Sequence, residues 1–154
     1  MNTRPSTDQI ILDCRRELLD VVLPDVTSDN VRVSVQMLEN VLRNVATRAA
    51  HEIAWMREET ALLEEYAREV AAELPPDTAL TAALTELDAA PRASLHLEDV
   101  TETYSRAGEA MSCALEAAMA AGHRQLSERA AELLRERNNR ELEIKGEWTM
   151  VGRT

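Results

Sequence analysis

Val35, Leu42, Ala49, Met56, Leu63 and Val70 follow one another at intervals of seven, and this spacing constrains the chain more than any other feature. An apolar residue at every seventh position lines one seam of a helix, and a long dry seam must be covered by other helices, from the same chain or a second copy. No Gly or Pro occurs between Asp29 and Leu74. A straight helix over that stretch would reach about 65–70 Å at 1.5 Å per residue, whereas a compact domain of this size has a radius of gyration near ~15 Å. Either the helix breaks near Arg57 to Thr60, with Thr60 capping a new one, or it protrudes and a second subunit covers it.

The remaining punctuation divides the rest of the chain into helices. Ser6-Thr7-Asp8-Gln9 has the form of a capping box, and Ile11, Cys14, Leu18 and Val22 follow it on one face, which predicts a helix from Thr7 to Leu23 ended by Pro24. The short connection makes this helix an antiparallel neighbour of the long one. Pro75-Pro76-Asp77 stops the long segment, and a short helix from Thr78 to Ala89 carries Leu80, Leu84 and Leu87. Leu97, Val100, Tyr104, Ala107, Met111, Ala114 and Ala118 alternate three and four apart between Ser94 and Gly122, and a last helix follows from His123 to Glu143 on Leu126, Ala130, Leu133 and Leu134. Its polar end, Arg137 to Arg140, is expected to fray.

With 154 residues, abundant Ala, Leu, Glu and Arg and no Phe, the chain reads as all-α, a bundle of four to six helices with one long central helix, completed by self-association. The bundle domain is placed at 1–144 and a tail at 145–154. In that tail Trp148, Met150 and Val151 either form a loose end or dock on a partner.

The net charge is −11 and Lys145 is the only lysine. No segment gathers Arg without comparable Asp and Glu, so neither nucleic acid nor an anionic membrane is an expected partner. No run of apolar residues is long enough for a membrane span, and no export signal is read at the start. Cys14 and Cys113, far apart and set among helical apolar residues, read as small buried thiols of a reduced, cytoplasmic protein.

Chemistry has few candidates. The frame that sets the ladder also places Leu38, Val45, Glu52, Glu59, Tyr66 and Glu73 on the adjoining seam, so two carboxylates point inward in mid-helix. With His51 and Trp55 beside them, Glu52 and Glu59 are the ligand-binding candidates, since inward carboxylates are how bundles build acid-base and metal sites. The bland alternative pairs Arg48 with Glu52 along the helix and lets Glu59 reach solvent. No His has Glu three residues before it, no HExxH occurs, and no phosphate loop, GxSxG or CxxC is present; no catalytic residue, metal ligand or cofactor is nominated. Glu102, Glu109 and Glu116 fall opposite the apolar seam of their helix and form a solvated face. Ser105, Gly108 and Ser112, with the alanines of Ala114 to Ala121, thin one flank of that helix, and Gly108 either admits another helix or a flat ligand or is merely tolerated.

In Pro5-Ser6-Thr7, Leu18, Val22-Leu23-Pro24, Val33, Leu38, Leu42, Arg48 and Glu52, the opening third resembles a family of small uncharacterised bacterial helical proteins. Members are encoded beside aminoglycoside-phosphotransferase-like kinases and acyl-CoA dehydrogenase-like proteins. The resemblance implies an accessory role next to an enzyme and supplies no functional residues. The family's basic ending, Asn-Pro-Arg-Tyr, does not occur here.

Together these readings describe a non-enzymatic interaction or accessory protein, a homodimer with a possible partner enzyme, whose interface is expected at Leu42, Met56, Leu63, Val70 and Trp148. The alternative is a bundle enzyme or small-ligand-binding protein that uses the inward carboxylates.

Overall fold

The computed structural model describes residues 4–145. The helices are α1 (Thr7–Glu17), a π-helical turn (Leu18–Val22), α2 (Leu23–Asp25), α3 (Asp29–Glu73), α4 (Thr78–Asp88), α5 (Leu97–Ala120) and α6 (Arg124–Lys145), and no strand occurs among the described residues. The all-α reading therefore holds. Trp148 and the rest of the expected tail lie outside the described residues, except Lys145, which closes α6.

The Ser6 amide donates to Gln9 Oε1 at 3.0 Å, closing one half of the capping box. Pro24 does not end the helix. It sits in the first turn of α2, directly after the π turn, where the Leu23 amide bonds back to the Leu18 carbonyl. Proline lacks the N–H for a normal α-helical bond and its ring crowds the carbonyl four residues earlier, and the wider π turn takes up that misfit.

The long segment is one helix of 45 residues, about 68 Å at 1.5 Å per residue. No break occurs at Arg57 to Thr60. Arg and Glu there are good helix formers, and the Thr60 hydroxyl donates to the Met56 carbonyl at 2.7 Å instead of capping a new helix.

The structure separates two compact units within the stretch read as one bundle domain. Among the described residues, one comprises 4–52 together with 140–145; the other is Ile53–Asn139. In the second unit a closed core forms from four helices. Leu63, Tyr66, Ala67 and Val70 of α3 meet Leu80, Ala83, Leu84 and Leu87 of α4, Ala107, Ala110, Met111, Ala114 and Ala118 of α5, and Leu126 and Ala130 of α6. Asp77 caps α4 by accepting from the Leu80 amide at 2.8 Å, and Gly122 takes the left-handed conformation (φ 63°) that closes α5. Ala107, Ala110, Ala114 and Ala118 of α5 are fully buried, so the thin buried face of this helix is made by alanine. Gly108 is not part of it: a Cβ added there would meet nothing within 4 Å.

The first unit is built differently. The Arg15 guanidinium pairs with Glu39 at 2.5 Å, which places α1 beside the first part of α3. Yet α1, the π turn and α2 contain no buried residue. Of α3 up to Glu52 only Val35, Asn40 and Ala46 are buried, and Ala49, a rung of the ladder, is exposed. Cys14, expected to be buried, is likewise exposed, and Cys113 is half-buried.

Two substitutions test this architecture. Leu63→Asp, which places an unpaired charge in the closed core, should cost several kcal/mol in chemical denaturation. Gly108→Ala should raise stability by about 0.5–1 kcal/mol, because the helix gains the better former and nothing obstructs the methyl; a loss would show a close neighbour there.

Candidate interaction surface

The four candidates for ligand binding lie along α3, and each carboxylate is held by its own cation. The Arg48 guanidinium donates to Glu52 along the helix, as the i,i+4 spacing requires. His51 is exposed and Trp55 half-buried. Glu59 does not reach solvent, the alternative the sequence offered. Its side chain is only 13% exposed and lies 2.9 Å from Arg137 Nε, while the Tyr104 hydroxyl donates to it at 3.0 Å. Arg137 also covers the Tyr104 ring, 5.6 Å from its centroid. This carboxylate, phenol and guanidinium come from α3, α5 and α6 and link three helices of the Ile53–Asn139 unit. Arg137 belongs to the segment expected to fray; α6 runs on through it to Lys145.

Burial, with the neighbouring Glu59 carboxylate, pushes the Tyr104 hydroxyl above the usual tyrosine range. Burial, with Glu69 nearby, raises Tyr66 as well. Such a linkage rigidifies a bundle.

A second ionic cluster surrounds Glu64. Arg92 grips its two oxygens at 2.8 and 3.1 Å, Arg68 donates at 2.8 Å, and both guanidinium groups also reach Asp88. Burial works to raise the Glu64 carboxyl, but the hydrogen bonds and charges of Arg92 and Arg68 outweigh it and hold the group below the ordinary carboxylate value. Beside this cluster lies a surface pocket of about 160 Å³ lined by Arg57, Thr60, Ala61, Glu64, Pro91, Arg92, Ser94, Val100 and Thr103. None of the four sequence candidates lines it. Among the described residues no group of three or more His, Cys, Asp or Glu could hold a metal ion, and no helix is long and apolar enough to cross a membrane.

The nominated interface residues are largely spent inside the chain. Leu63 and Val70 belong to the closed core, and Leu42 and Met56 are half-buried. Large exposed apolar residues concentrate instead in the first unit. Val31, Leu38, Val41 and Val45 of α3 are 49%, 55%, 47% and 42% exposed, and Ile10, Val21 and Met37 are similarly open. Scattered exposed apolar residues are ordinary; the four of α3 lie on one side of its start. Leu38 and Val45, expected on the inward seam that adjoins the ladder, are instead exposed, and Val31 continues their seven-residue spacing.

Two outcomes follow from the ionic clusters. Glu59→Gln removes the charge that pairs with Arg137, so it should cost about 1–3 kcal/mol and lower the pKa of one of the two tyrosines in an ultraviolet titration. The Glu64 carboxyl is depressed in the folded state, so its contribution is complete above its ordinary value near 4.5 and is lost as pH falls through the lowered folded value. Glu64→Gln should therefore reduce stability at neutral pH and flatten the decline in thermal midpoint on acidification.

No known protein family, curated protein or solved structure matches the chain.

Proposed function

We propose that the chain is a non-enzymatic helical interaction protein that self-associates through its first unit. The observation that carries this reading is the contrast between the two units. Residues 53–139 close a core of their own, while the helical stretch Thr7–Asp25 buries no residue and the start of α3 exposes a row of valine and leucine side chains. A helix with an apolar face gains little from folding until that face is covered. Covering it would remove Val31, Leu38, Val41 and Val45 from water, each worth about 1.5–3 kcal/mol when fully buried, and less here because half of each is already covered.

An accessory role beside an enzyme, implied by the resemblance of the opening third, belongs to the same proposal. The carboxylates that an enzyme reading needs are neutralised by Arg48 and Arg137, which supports a contact function over acid-base chemistry.

Light scattering at micromolar concentration should give the mass of a dimer. Leu38→Asp, at an exposed position, should shift that mass to a monomer with little change in helix content by circular dichroism. A monomeric wild type would defeat self-association, and co-purification with mass spectrometry from the native host would then test a heterologous partner.

A further inference from the structure

Four arginines of the longer helices find a carboxylate one turn away on their own helix: Arg48 with Glu52, Arg68 with Glu64, Arg106 with Glu102 and Arg124 with Glu128. Arg57 cannot. The positions three and four residues from it hold Ile53, Ala54, Thr60 and Ala61, and among the described residues its guanidinium has no hydrogen-bond or ion-pair partner. It lines instead the surface pocket of about 160 Å³, together with Thr60, Ala61 and Glu64 of the same helix face. The loop after α4, at Pro91, Arg92 and Ser94, and the start of α5, at Val100 and Thr103, supply the other walls. Several of these groups are already committed. Glu64 has both oxygens on Arg92, and the Thr60 and Thr103 hydroxyls donate to their own helix, to the Met56 carbonyl at 2.7 Å and the Asp99 carbonyl at 2.9 Å. Ser94 Oγ accepts from the His96 amide at 3.1 Å, which leaves its own proton for another acceptor.

We infer that this pocket binds a small organic monocarboxylate, its carboxylate held by Arg57 and Ser94 and its apolar body against Ala61, Pro91 and Val100. A guanidinium offers two parallel N–H donors that match the two oxygens of a carboxylate. Charge sets the ligand class. The lining carries two guanidinium groups, Arg57 and Arg92, and one carboxylate, Glu64, so one positive charge is in excess and a single negative charge balances it. A phosphomonoester, with about two charges at neutral pH, would bring its second charge against Glu64. The pocket lies wholly within the Ile53–Asn139 unit, and its occupation is independent of the self-association proposed for the first unit.

Amide NMR of the full-length chain at constant ionic strength tests this, with butyrate as the ligand. Butyrate should shift the Thr60, Ala61 and Ser94 amides on one saturable curve, half-complete at about 1–10 mM for a ligand of so few atoms, while butan-1-ol, which has the same body without the charge, should not. Arg57 is exposed, so its replacement should leave the helix content by circular dichroism unchanged. Arg57→Gln should weaken butyrate about tenfold or more, and Arg57→Lys, which keeps the charge but loses the paired donors, should fall between the two. Arg124→Gln removes a cation that does not line the pocket and should leave the curve as it is. No saturable shift, an unchanged curve in Arg57→Gln, or equal shifts from butan-1-ol would each overturn the site. Ethyl phosphate binding more tightly than butyrate would overturn the monocarboxylate assignment.

Discussion

The packing of the Ile53–Asn139 unit depends on the small size of the side chains on one face of α5. Ala107, Ala110, Ala114 and Ala118 are fully buried, and alanine keeps the helix slender where α3, α4 and α6 supply Leu, Val and Tyr. Interiors pack to nearly constant density, so a slender central helix must be matched by bulkier partners, and the single large residue of its buried face, Met111, fills what remains. With no Phe in the chain, aliphatic residues and Tyr66 carry nearly all of the burial in this core.

Polar links then fix the orientation of these helices. Glu59 ties α3 to Tyr104 and Arg137; Arg129 ties α6 to Glu65 and Glu69 of α3; Arg92 ties the loop after α4 to Glu64. Exposed pairs contribute little individually. Glu59 and Glu64 are different, because their partly dry positions make a lost partner costly. In a chain with eleven more acids than bases, arginine suits this role, because one planar guanidinium can engage two carboxylates.

One helix thus serves two purposes. The end of α3 near Val70 is core, and its beginning near Leu38 is surface, although both stretches are amphipathic and similar in composition. The difference is the number of apolar faces available to cover them. The Ile53–Asn139 unit surrounds its part of α3 with three other helices, while in the first unit no residue of α1 is fully buried and only Val35, Asn40 and Ala46 of α3 are.

Much of the fold was legible in the sequence because it follows from local rules. Proline and glycine set the ends of α4 and α5, and the apolar alternation identified their buried faces. The uninterrupted Asp29 to Leu74 stretch gave the continuity of α3 only as one of two options, since helix propensity states that a helix can continue and not whether packing bends it. Distant pairings were illegible. Glu59 meets Tyr104 and Arg137 across long sequence separations, so Arg137 read as a fraying end when it is an anchor. Sequence by itself determined the helical class, the element order and the absence of a catalytic motif, because periodicity, turn chemistry and residue type are local properties. Only the tertiary structure decided which half of an equally apolar ladder is buried, which carboxylate is held by which guanidinium, and where apolar surface is left over, because burial depends on what other parts of the chain can reach.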